Sequence, residues 1–145
     1  MPAGEVDSVH VTGGFNASPE QVFEAWVNPD LLRLWLAPKV EVDARGGGHF
    51  RLEVSKPEGW HVVTGVYREF VPGRRIVMTW VYAGPMGSAD EMEALLTIDF
   101  HKRGSDTEIE LHHDHLTNPA YRDTIQRGSW TKALDELGKI LPSSR

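Results

Sequence analysis

The sequence predicts an α+β fold, an antiparallel sheet of six to seven strands with one long C-terminal helix laid across it. Two observations predict it. Between Val40 and Leu116 the apolar period falls to two residues, the period of strands whose side chains alternate between faces. After Asn118 the helical period takes over and holds to Leu141, so the chain ends in one broad apolar stripe that must pack on something.

The elements follow in order. "SVHVTGGF" reads as a first strand. In "SPEQVFEAW", Ser18 can cap a helix, Pro19 suits its first position, and Gln21 completes the capping-box spacing. "NPDLLRLWL" starts a second short helix at Asn28 and Pro29, and a short "VEVD" segment supplies the optional seventh strand. "GGHFRLEV" places Phe50, Leu52 and Val54 on one face, against His49, Arg51 and Glu53. "WHVVTGVYREFV" and "RRIVMTWVY" are apolar on both faces and join at the Pro72-Gly73 turn. "MEALLTIDF" sets Met92, Ala94, Leu96, Ile98 and Phe100 on one side. "KRGSD" is a hairpin turn, and "TEIELHHDH" alternates Ile109 and Leu111 against Glu108 and Glu110. In the last helix Ile125, Trp130, Ala133, Leu134, Leu137 and Leu141 recur at steps of one to five residues on one stripe.

Composition narrows the function. The 145 residues, 40% hydrophobic and 25% charged, suit one domain spanning residues 1–145 with room for one modest cavity. A net charge of −6 with scattered basic residues disfavours nucleic acid as a partner. The absence of cysteine excludes disulfides, thiolate nucleophiles and cysteine-ligated metals. No membrane partner is expected, because no apolar run approaches the roughly 20 residues that span a bilayer. "MPAGEVDSVHV" lacks the pattern of a secretory leader, and a cytoplasmic location is expected. "GGG" at Gly46 to Gly48 precedes a strand rather than a helix and reads as a turn, not a phosphate loop. Nucleophile-elbow, His-Glu-x-x-His and P-loop motifs are all missing.

The segments "ASPEQVFEAWVNPDLLRLWLAPK", "GGGHFRLEV", "GVYREFVPGRRIVMTW" and "GSWTKALDELGKIL" occur in an order that resembles the activator of heat-shock protein 90 ATPase homologue family. That family is a branch of the START-like, helix-grip superfamily, and the resemblance runs from about Val9 to Leu141. It implies a curved sheet around the C-terminal helix with a cavity between them. It does not imply one activity: members include lipid and polyketide binders, aromatases, cyclases and co-chaperone domains. True co-chaperones carry a further N-terminal domain, for which 145 residues leave no room, so chaperone stimulation is not the first expectation.

The cluster "HHDH" divides between faces. Alternation sets His113 and His115 with Ile109 and Leu111, and His112 and Asp114 with Glu108 and Glu110 on the wet face. Two imidazoles do not suffice for a stable metal site, and the facing of the nearest further donors, His61 and Glu69, is undetermined, so no metal and no cofactor are assigned. The alternatives for His113 are a polar residue near the cavity mouth, a ligand-orienting group, or an acid/base with both protonation states accessible. In the resembled family a histidine is common at the position of His113, whereas a glycine is usual at that of His115. Gly128 and Ser129 beside Trp130 are read as leaving space, for a ligand or for a close strand. Glu91 and Glu93 read as solvated strand-edge charges, and "AGPMGSAD" as an ordinary turn with a lid as the alternative.

The expected function is binding of a small hydrophobic or amphipathic molecule between sheet and helix. Candidate lining residues are Trp35, Phe50, Tyr67, Met78, Trp80, Leu96, His113, His115 and Trp130, with His113 or Tyr67 orienting the polar end. Core packing is the competing account of Trp80 and Trp130. The alternatives are a cyclase- or hydrolase-like enzyme with His113 as proton carrier, and a minimal chaperone-ATPase regulator acting through protein contacts. A homodimer is left open.

Overall fold

A computed structural model describes residues 8–85, 94–117 and 119–141. The chain runs β1 (Val9–Phe15), α1 (Pro19–Val27), α2 (Pro29–Trp35), β2 (Lys39–Val42), β3 (His49–Lys56), β4 (Gly59–Val71), β5 (Arg75–Ala83), β6 (Ala94–Arg103) and β7 (Asp106–Asp114). It closes with α3 (Pro119–Thr124), a wide turn over Ile125–Ser129, and α4 (Trp130–Ile140). The strands form one seven-stranded sheet ordered β1-β7-β6-β5-β4-β3-β2, every neighbouring pair antiparallel. This is the helix-grip architecture. The Asn118 cap, Met92, Glu91, Glu93 and most of the expected turn or lid lie outside the described residues.

The two short helices begin as their sequences dictate. Gln21 N–H donates to Ser18 Oγ at 3.2 Å and Ser18 N–H donates to Gln21 Oε1 at 3.0 Å, which closes the capping box. Asn28 ends α1 and caps α2, its Oδ1 accepting from Asp30 N–H at 2.9 Å. The sheet's inner face is the core: Ile76, Leu96, Ile98, Ile109 and Leu111 are fully buried, with Val22 and Trp26 of α1 and Leu137 of α4 packed into the same cluster.

The C-terminal helical segment is broken by a kink at Gly128 between α3 and α4. Gly128 sits at φ 112°, a conformation that a side chain strongly disfavours. The Ser129 hydroxyl donates to the Thr124 carbonyl, five residues back, at 2.8 Å. The backbone over Ile125–Ser129 is a π-type turn, and the hydroxyl bond spans it. At about 100° per residue, the nine residues from Tyr121 to Trp130 would put the two rings on opposite sides of a regular helix. The wide turn resets the phase, so both rings are buried. A Cβ added at Gly128 would meet nothing within 4 Å, so close packing does not require the glycine; its backbone conformation does.

Candidate functional site: the cleft under the C-terminal helix

A cleft of about 490 Å³ lies between the strands β3, β4 and β5 and the C-terminal helical segments, within the size range of small-molecule sites. Aromatic rings form much of its wall: Trp35, Trp80, Tyr82, Tyr121 and Trp130. They are locked to one another. Trp80 Nε1–H donates to the Tyr121 hydroxyl at 2.8 Å, Tyr82 stacks on Tyr121 with centroids 4.1 Å apart, and Trp80 meets Trp130 edge-on at 5.4 Å. Trp35 is held from behind, its indole N–H donating to the Ala25 carbonyl at 2.9 Å. Residues from α3, the wide turn and α4 complete the wall, Ser129 among them. A second concavity of about 600 Å³ is lined by residues of β2 to β5, Glu41 and Arg51 among them, and by Asp43 just past β2, and lacks this helix wall.

Polar groups enter the cleft from one corner. His61 of β4 lies with Nδ1 2.7 Å from the Tyr82 hydroxyl and Nε2 2.7 Å from the Glu58 carboxylate. A carboxylate only accepts, so Nε2 carries hydrogen; in the neutral ring Nδ1 is then bare and accepts the Tyr82 O–H. The result is a Glu58–His61–Tyr82 hydrogen-bond chain along the cleft wall. Glu58 is held below the ordinary carboxylate range, first by a backbone hydrogen bond and next by His61. Burial pushes the Tyr121 hydroxyl well above its ordinary range, so it stays protonated and can accept from Trp80.

The expected lining residues separate into groups. Trp35, Trp80 and Trp130 border the cleft. Phe50, Tyr67 and Met78 surround a separate void of about 10 Å³ deeper in the core, shared with Trp26 and Leu32. Leu96 is fully buried and borders neither space. His113 does face inward with Ile109 and Leu111, but its ring is sealed beneath Trp80 and Trp130. Trp130 Nε1–H donates to His113 Nδ1 at 2.9 Å, which leaves the hydrogen on Nε2, where it is buried without a partner. Burial drives the His113 pKa down to about 3. The ring is therefore neutral near pH 7, which corrects the expectation that both protonation states are accessible.

His115 is a second correction. The strand ends at Asp114, and His115 turns to the left-handed region at φ 62° with its side chain exposed. Alternation cannot be extended past a strand's end, so His115 does not join His113. Trp60 at the start of β4 is 48% exposed, with Lys39 Nζ 5.0 Å from its ring centroid. His61 was not among the expected lining residues, and Tyr82 was placed only in a segment expected to border the cavity. Their strands are apolar on both faces, so period alone did not give their side; the β4–β5 register, which pairs Val63 with Tyr82, does.

Comparison with known proteins matches this architecture. CV1439 from Chromobacterium violaceum superposes with a TM-score of 0.80 at 23% identity, covering 93% of this chain and 97% of that one. NE0264 from Nitrosomonas europaea gives 0.74 at 19%, covering 96% of each chain. CalU16 from Micromonospora echinospora gives 0.71 at 23%, covering 91% of this chain and 74% of that one. Identities this low establish a shared fold and no shared activity. No curated protein matches the sequence at a significant level. No helix among the described residues is long and apolar enough to cross a membrane. The family model described as Activator of Hsp90 ATPase homolog 1-like protein matches residues 16–142, and the chain belongs to that family.

Proposed function

We propose that the chain binds a small amphipathic molecule with an aromatic or other apolar body in the cleft under the C-terminal helix. One observation carries this reading: a wall of interlocked aromatic rings meets the Glu58–His61–Tyr82 chain at one corner. Apolar burial supplies the affinity, at about 25 cal/mol per Å² before ordering costs. The Tyr82–His61 pair supplies the polar end, in place of His113 or Tyr67. The test is a titration of the protein with 2-naphthol, an apolar ring carrying one hydroxyl, followed by tryptophan fluorescence. Saturable quenching is expected, and Ala133→Trp, which fills the cleft, should weaken it at least tenfold. Equal affinity in that variant would remove the cleft as the site.

A second reading, an enzyme that moves a proton on the bound molecule, is favoured by the hydrogen-bond chain itself. A carboxylate, an imidazole and a phenol in series can hold and pass one proton between Tyr82 and His61. Hydrolysis of 4-nitrophenyl acetate that is lost in His61→Gln would support it. Equal rates in protein and variant would count against it.

A further inference from the structure

The outer face of the sheet, away from the cleft, gathers a second set of side chains. His10 of β1 stands directly opposite His112 of β7, and Glu110 is two residues along β7 on the same face. The two imidazole rings stack with centroids 4.1 Å apart and planes within 7°. His10 Nε2 is 3.4 Å and His112 Nε2 3.8 Å from the same oxygen, Glu110 Oε2. The three donor atoms all lie within 4.8 Å of one another. His101 of β6 reaches Glu110 from the other side, its Nε2 2.8 Å from Oε1.

Ligands about 2.0–2.1 Å from a tetrahedral zinc stand roughly 3.3–3.4 Å apart. The two imidazole-to-carboxylate separations are already near that value. Two nitrogens and one carboxylate oxygen are a donor set that zinc accepts with a fourth position open. The remaining adjustment is small. The stacked rings must tilt so that their in-plane lone pairs converge, and all three side chains are at least a third exposed, so rotation meets little packing. His101 fits the role of a group that fixes a ligating carboxylate from behind.

We propose that His10, Glu110 and His112 form a binding site for a divalent first-row transition ion of the zinc type, with His101 as the positioning residue. The strands themselves preset the site. His10 and His112 are held face to face by the β1–β7 ladder, and Glu110 by the pleat of its own strand. The site is separate from the cleft, on the opposite face of the sheet, and does not depend on a cleft ligand.

The experiment is calorimetric titration of the full chain, without an affinity tag and stripped with a chelator, using zinc chloride alone. One ion per chain is expected, with a dissociation constant of about 10 μM or tighter, equivalent to about 7 kcal/mol. Glu110→Gln and His112→Ala should each weaken binding at least tenfold, and His10→Ala likewise. His101→Ala should weaken it less while leaving one ion per chain. Unchanged melting temperatures without zinc would show that the variants fold. No saturable binding up to about 100 μM, or wild-type affinity in both Glu110→Gln and His112→Ala, would overturn the proposal.

Discussion

Trp130 of α4 donates its indole N–H to Nδ1 of His113 on β7 across 2.9 Å, one bond that ties the helix to the sheet inside a shell of rings. Both partners are buried, so neither can turn to water when the other is removed. Trp130→Phe is expected to cost about 1–3 kcal/mol, read from urea denaturation. His113→Leu should cost a similar amount. The double variant should lose less than the sum, because it strands no polar group. Strictly additive losses would mean that the bond carries no coupling.

The same histidine sets a pH dependence. Its folded pKa is about 3, against about 6.5 for an exposed histidine. Between those values the unfolded chain binds a proton that the folded chain refuses, so stability falls as pH drops from 6.5 toward 3. The slope from this one group approaches about 1.4 kcal/mol per pH unit, and above 6.5 its contribution is complete. Urea midpoints measured from pH 7.5 down to pH 4.5 should therefore fall more gently in His113→Leu. Parallel curves would show that His113 is protonated in the folded protein.

Gly65 and Gly128 should fail for different reasons. A Cβ at Gly65 would press on the Thr79 carbonyl and stand 2.6 Å from the Phe50 ring, inside the sheet. Gly65→Ala is expected to cost more than about 3 kcal/mol or to abolish soluble expression. Gly128→Ala meets no atom but forces a side chain to φ 112°, and about 1–2 kcal/mol is expected. Thermal melting separates the two cases. A Gly65 variant that melts like the parent would contradict the packing described.

His115 occupies a left-handed position without the freedom of glycine. His115→Gly should relieve that strain and raise stability by up to about 1 kcal/mol, with no change in 2-naphthol binding. Weakened binding would return His115 to the cleft.

The fold was legible wherever one face of an element is polar. Alternation in β3 and β7 assigned Phe50, Leu52 and His113 to the inner face, and Ser18 with Gln21 announced α1. Even the wide turn left a trace, the five-residue step from Ile125 to Trp130. The candidate site was less legible, for two physical reasons. Strands β4 and β5 are apolar on both faces, so period did not reveal that His61 and Tyr82 meet. The pairing of His10 with His112 depends on joining the first strand to the last, a register that no local pattern contains. Phe50, Tyr67, Met78 and Leu96 were also expected to line the cavity, and the structure sets them in the core away from the cleft: a buried side chain can be core without bordering a cavity.

The wide turn before Trp130 has a consequence for how such a cleft can diverge. A π-type turn is, in effect, one residue inserted into a regular helix. Removing a residue there would change the angular phase of α4, carrying the Trp130 indole away from His113 and Ala133 away from the cleft. Substitutions can only trim or fill the wall one side chain at a time. A single-codon insertion or deletion at Ile125–Ser129 would change several wall positions at once, so length changes in this short segment reshape the cleft more coarsely than substitutions do.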